Sequence, residues 1–106
     1  MTETEFQQHV ANTLASIETA LDALDADIDF ERKADTVLEI VFEDDSRIVV
    51  NGHAAVQEIW IAAKSGGQHF RYVDAIWVNT RDGTELFRAL SAVVSQQCGQ
   101  GVILHA

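Results

Sequence analysis

The chain has 106 residues, of which 17 are Asp or Glu and 7 are Lys or Arg, for a formal net charge of -10. Apolar residues make up 47% and charged residues 23%, which fits one folded domain over residues 1–106 built on a single core. So acidic a surface repels nucleic-acid phosphates and anionic membranes and selects metal cations or basic protein surfaces instead. A single cysteine excludes an internal disulfide. No stretch approaches the roughly 18 apolar residues of a membrane span. The N-terminus has neither the basic start nor the apolar run of a secretory signal, so a cytoplasmic protein is expected.

The charge is unevenly placed. Residues 1–31 hold eight acids and no Lys or Arg, while all seven basic residues lie from Arg32 onward. In this acidic part Phe6, Val10, Leu14, Ile17, Leu21 and Leu24 recur at three- and four-residue spacing, which predicts an amphipathic helix. Thr2 or Thr4 is placed to cap its start, with Glu5 in the first turn. On that helix Glu18, Asp22 and Asp25 follow i, i+4, i+7 and share a face. The period then becomes two: Ile28 and Phe30 point one way and Asp27, Asp29 and Glu31 the other, as in a half-buried strand. Helix and strand carboxylates can so form one ridge, although an acidic run is more often a solvated face.

Further strands are predicted over Thr36–Glu43 and Arg47–Asn51, separated by the turn Asp44-Asp45-Ser46. In the next strand, Val56–Lys64, the residues Ile59, Ile61 and Ala63 fit a core face, which places Glu58 and Trp60 on the opposite one. Ser65-Gly66-Gly67 turns the chain into Gln68–Val73, and Ala75–Asn79 gives one more strand. Thr80 or Asp82 is placed to cap a second helix with Leu86, Phe87, Leu90, Val93 and Val94 on its apolar side and Gly99 at its end. Val102, Ile103 and Leu104 then pack back on the body. The facing of Trp77 stays open, and Cys98 reads as a packed, inert thiol. The order predicts an α+β two-layer sandwich, an N-terminal and a C-terminal helix on one face of a mainly antiparallel sheet of five to six strands.

With these elements in place the sequence resembles the bacterial frataxins of the CyaY type over nearly its whole length. The resemblance rests on the acidic helix and strand, on the block from Val50-Asn51-Gly52-His53 to Gln57-Glu58-Ile59-Trp60-Ile61-Ala62-Ala63, on Gly66-Gly67-Gln68-His69-Phe70, and on Trp77 before Asp82-Gly83. It implies the same two-layer fold and a protein that regulates iron–sulfur cluster assembly and is not an enzyme. It further implies weak, exchangeable binding of ferrous or ferric iron, or other divalent cations, by Glu18, Asp22, Asp25, Asp27, Asp29 and Glu31. A monomer that metal can assemble, docking on a cysteine desulfurase and its scaffold protein through a surface with Asn51, Glu58 and Trp60, completes the expectation. Thr19 and Ala23 stand where relatives often carry acids, and His53 and Glu58 where they often carry amides. The alternative is an acidic interaction module that binds a basic partner without specific metal binding.

Overall fold

In the computed structural model, which describes residues 1–106, α1 (Glu3–Asp22) is followed by β1 (Ile28–Ala34), β2 (Val37–Phe42), β3 (Arg47–His53), β4 (Glu58–Ala63), β5 (Gly66–Val73), β6 (Ile76–Asn79) and α2 (Leu86–Cys98). The six strands pair in sequence order, β1-β2-β3-β4-β5-β6, each antiparallel to the next. Both helices lie on one face of this sheet, as the periodicities predict.

The reason is visible residue by residue. Phe6, Val10, Leu14, Ile17 and Leu21 of α1 and Leu86, Phe87, Leu90, Val93 and Val94 of α2 join alternate strand residues such as Leu38, Ile40, Ile48, Val50, Ile59, Ile61 and Phe70 in one cluster of 22 buried apolar side chains. Burial of that apolar surface is the main stabilising term. Trp77 belongs to this cluster, 4% exposed, edge-on to Phe6, with its Nε1–H donated to Thr13 Oγ1 at 2.9 Å. The other sheet face is left open, and period-two alternation puts Asn51, Glu58 and Trp60 there.

Several element ends depart from the sequence expectation, the plainest at α1, α2 and β4. α1 stops at Asp22, with Ala23 as C-cap, so Asp25 is not on the helix but in the connection to β1. No basic residue occupies the last turn; the carboxylates of Glu18 and Asp22 meet the negative end of the helix dipole, which disfavours a further turn. Asp27 also lies in this connection, one residue short of β1. At α2 the N-cap is Glu85, whose carboxylate accepts the Phe87 and Arg88 N–H groups at 2.8 and 3.3 Å. Thr80 and Asp82 are instead spent in the preceding turn, where Asp82 Oδ1 accepts the Thr84 N–H at 2.9 Å. β4 starts at Glu58, because Val56 and Gln57 form a turn with Gln57 at φ 52°.

The tail is fastened by two serines of α2. Ser95 Oγ donates to the Val102 carbonyl and accepts the Val102 N–H, and Ser91 Oγ accepts the Leu104 N–H at 2.8 Å. Val102 and Leu104 are buried and Ile103 is exposed, so the tail packs by alternate residues.

Candidate docking and cation-binding surface

The six carboxylates read from the sequence fall on one edge of the molecule but in unlike surroundings. Glu18, from α1, is half-buried and accepts a hydrogen bond from the Arg32 guanidinium of β1. This pair ties α1 to the edge strand. Glu31 is met by Lys33 at 3.2 Å, and Lys33 lies 3.7 Å from Glu39, the cross-strand partner of Glu31. Arg47 also bonds Glu39 at 2.9 Å, so two basic side chains screen this like-charged pair. Asp22, Asp25, Asp27 and Asp29 are exposed and enter none of the six ion pairs.

Two further acids join them from a place the sequence pattern did not single out. Glu43 and Asp44, at the β2–β3 turn, line an open cavity of about 610 Å³ together with Leu24, Asp25, Asp27 and Cys98. Only the antiparallel pairing of β1 with β2 brings this turn beside the end of α1, and that register is not local in sequence. Hydrogen bonds from Ser46 hold the Asp44 carboxyl below its ordinary range, and Lys64 adds to the effect from 4.0 Å. Cys98 is a free, half-buried thiol on the cavity wall, with the Gln100 carbonyl 3.4 Å from its sulfur.

No three His, Cys, Asp or Glu side chains converge closely enough to hold a metal ion. The donor set is nevertheless of hard carboxylate oxygens, the kind that suits iron and other hard cations.

The open sheet face supplies the second part of the surface. The β-register lines up Val37, Asn51, Trp60 and His69 in one cross-strand row and His53, Glu58, Arg71 and Val78 in the next. Asn51, Glu58 and Trp60 are thus neighbours on one face, each half-buried. Trp60 donates its Nε1–H to Glu58 Oε1 at 2.8 Å. The His53 ring lies 3.7 Å and the His69 ring 4.3 Å from the indole, centroid to centroid. The two histidines were not evident as a set, because 16 positions separate them in the sequence. The signal that finds them is the β3–β4–β5 register.

A sequential antiparallel sheet with terminal helices on one face, an acidic edge and an aromatic open face defines a small two-layer α+β domain. The frataxin-like domain family model matches residues 1–100. The iron-sulfur cluster assembly protein CyaY of Dechloromonas aromatica is 48% identical over 104 residues, covering 98% of this chain and 99% of that protein. The protein of the same name from Paraburkholderia phymatum is 50% identical over 102 residues, 96% of each chain. Among solved structures, the frataxin of Psychromonas ingrahamii superposes with a TM-score of 0.92 at 25% identity, covering 100% of both chains. Trimeric frataxin from the yeast Saccharomyces cerevisiae, complexed with ferrous, has the same fold at a TM-score of 0.63 and 23% identity, over 92% of this chain and 86% of that one. The chain belongs to the frataxin-like family, in its bacterial CyaY branch.

Proposed function

We propose that this protein acts in iron–sulfur cluster assembly in the cytoplasm, as a regulator that binds iron weakly and docks on a cysteine desulfurase and its scaffold protein. In this reading iron is cargo or signal, held by exposed carboxylates, chiefly Asp22, Asp25, Asp27 and Asp29, and no reaction is catalysed. The observation that carries the proposal is an edge of exposed, unpaired carboxylates on a sheet whose helix-free face bears Asn51, Glu58 and Trp60. The names of the close relatives in Dechloromonas and Paraburkholderia support the process. The edge steers basic patches of a partner, and Trp60 offers the kind of aromatic contact that dominates interfaces.

Titration with ferrous iron, or cobalt as an air-stable substitute, followed by backbone NMR tests the metal half. Changes confined to residues 18–31 and 43–44 are expected; changes scattered over the surface count against it. Pull-down on the desulfurase and scaffold with Trp60→Ala tests the docking half, with weaker capture and a retained fold expected. A second reading, an acidic interaction module without specific metal binding, is favoured by the lack of any convergent three-donor cluster. It predicts partner capture without localised metal shifts.

A further inference from the structure

The indole of Trp60 is flanked on the open face by two imidazoles, carried by the strands on either side of β4. The His53 ring is tilted by 31° to it and the His69 ring by only 7°. Glu58 completes the arrangement, since the oxygen that accepts the indole N–H at 2.8 Å lies 3.6 Å from His69 Nδ1. Docking through Trp60 requires none of these three contacts. They do, however, decide how much of the indole a partner can reach.

Resting on the reading of this face as a docking surface, we propose that His53, His69 and Glu58 position Trp60 and make docking proton-controlled, protonated imidazoles locking the indole and weakening docking. A neutral imidazole stacks on an indole by dispersion and quadrupole contact alone. A protonated one places a cation on the ring face, which the indole attracts more strongly. Protonated His69 also becomes an ion-pair partner for Glu58, which already fixes the indole N–H. A partner that packs on either face of the ring must displace an imidazole, so it competes with a stack that acid strengthens.

The charged groups around the stack are few. Arg71, the cross-strand partner of Glu58, is the nearest cation on β5. Arg81 and Asp82, in the β6–α2 connection, share a polar cavity of about 270 Å³ with His69. Beyond His53 stands Asp35 of the β1–β2 turn, whose neighbour Thr36 accepts the Gly52 N–H at 2.9 Å. β3 adds only the neutral Asn51 to the row of Trp60.

Two arms test the proposal. In the first, the indole N–H signals of the free ¹⁵N-labelled protein are followed across about pH 5 to 8, where imidazoles titrate, with Trp60 assigned from its loss in W60F. The Trp60 signal is expected to move sigmoidally, to lose part of its response in H53Q or H69Q, and to become flat in H53Q/H69Q. A Trp60 signal that is flat in the natural protein, or that titrates unchanged in the double variant, overturns the proposal. In the second arm, affinity for the desulfurase–scaffold complex is measured at both ends of that interval. Docking is expected to weaken at low pH by roughly two- to five-fold per imidazole, and H53Q/H69Q is expected to remove that difference from the pH profile. Natural-protein docking that is equally tight at both ends overturns proton control. A W60A variant that docks as the natural protein does overturns the docking reading itself, while the first arm still decides whether the two histidines position the indole.

Discussion

Glu18 and Asp22 are one helical turn apart on α1, yet only Asp22 has its carboxylate free for a cation. Arg32 occupies Glu18, and its own Nε is buried without a partner, so this guanidinium depends on Glu18 for compensation. We expect Glu18→Gln to cost up to about 1 kcal/mol in chemical denaturation, because the pair is partly exposed, and to leave cobalt affinity nearly unchanged. Asp22→Asn should do the reverse. It removes an acid from the negative end of the helix dipole and should stabilise by about 0.3–1 kcal/mol, while weakening cobalt binding. Equal loss of cobalt affinity in the two variants would show that Arg32 does not hold Glu18 in solution. The spacing of the acids was legible in the sequence. Their division into paired and free was not, since the Glu18–Arg32 contact bridges 14 positions.

Between elements, the start of α1 shows a local rule that the sequence does contain. Thr2 Oγ1 accepts the Glu5 N–H at 3.1 Å and Glu5 Oε1 accepts the Thr2 N–H at 2.9 Å, a reciprocal capping box. Hydrogen bonds from the Thr2 backbone and then its side chain hold the Glu5 carboxyl below its ordinary range. The folded state therefore favours the carboxylate. Its contribution is complete above the ordinary value of 4.5 and is lost as pH falls below that value and through the depressed one. Amide hydrogen exchange at Glu5 and Phe6 should accordingly speed up relative to mid-helix amides over that acid window, and Glu5→Gln should blunt the pH dependence. Farther along, Gly52 of β3 lies under α1: a Cβ there would come within 2.9 and 3.0 Å of the two Val10 methyl carbons. We expect Gly52→Ala to destabilise by about 1–3 kcal/mol through overpacking, and Val10→Ala to restore part of that loss in the double variant. Independent, additive effects would mean that helix and strand are not in contact there. A glycine required by packing between elements gives no local signal, unlike the capping residues.

For the whole molecule, charge placement matters more than net charge. The acids of the α1–β1 connection and the β2–β3 turn crowd one edge, while Arg71 and Arg81 lie toward the opposite side of the sheet, on and after its last strands. Association with a basic partner should therefore slow as salt is raised, and the charge reversal D22K/D25K should slow it most at low ionic strength. Stopped-flow association rates that ignore both salt and charge reversal would rule out steering. At this scale the fold class, the two helices and the facing of β4 followed from periodicity, because periods of 3.6 and 2 report directly which side is buried. The C-terminus of α1 and the N-terminus of α2 followed less well, since an acidic C-terminus and a Glu cap lie outside the usual end signals. The full extent of the acidic edge could not be read at all before strand pairing was known.

The order of the strands, which runs through the sheet without a crossover, also shapes how the chain reaches this structure. Every sheet contact joins consecutive strands across a short turn, so each hairpin closes with little loss of chain entropy and does not wait for the others. The two helices lie at opposite ends of the sequence and must share a single buried cluster with all six strands. The packing of the chain's two ends onto the sheet is then the least local part of the fold, and the acids of the α1–β1 connection sit where the chain passes from helix to sheet.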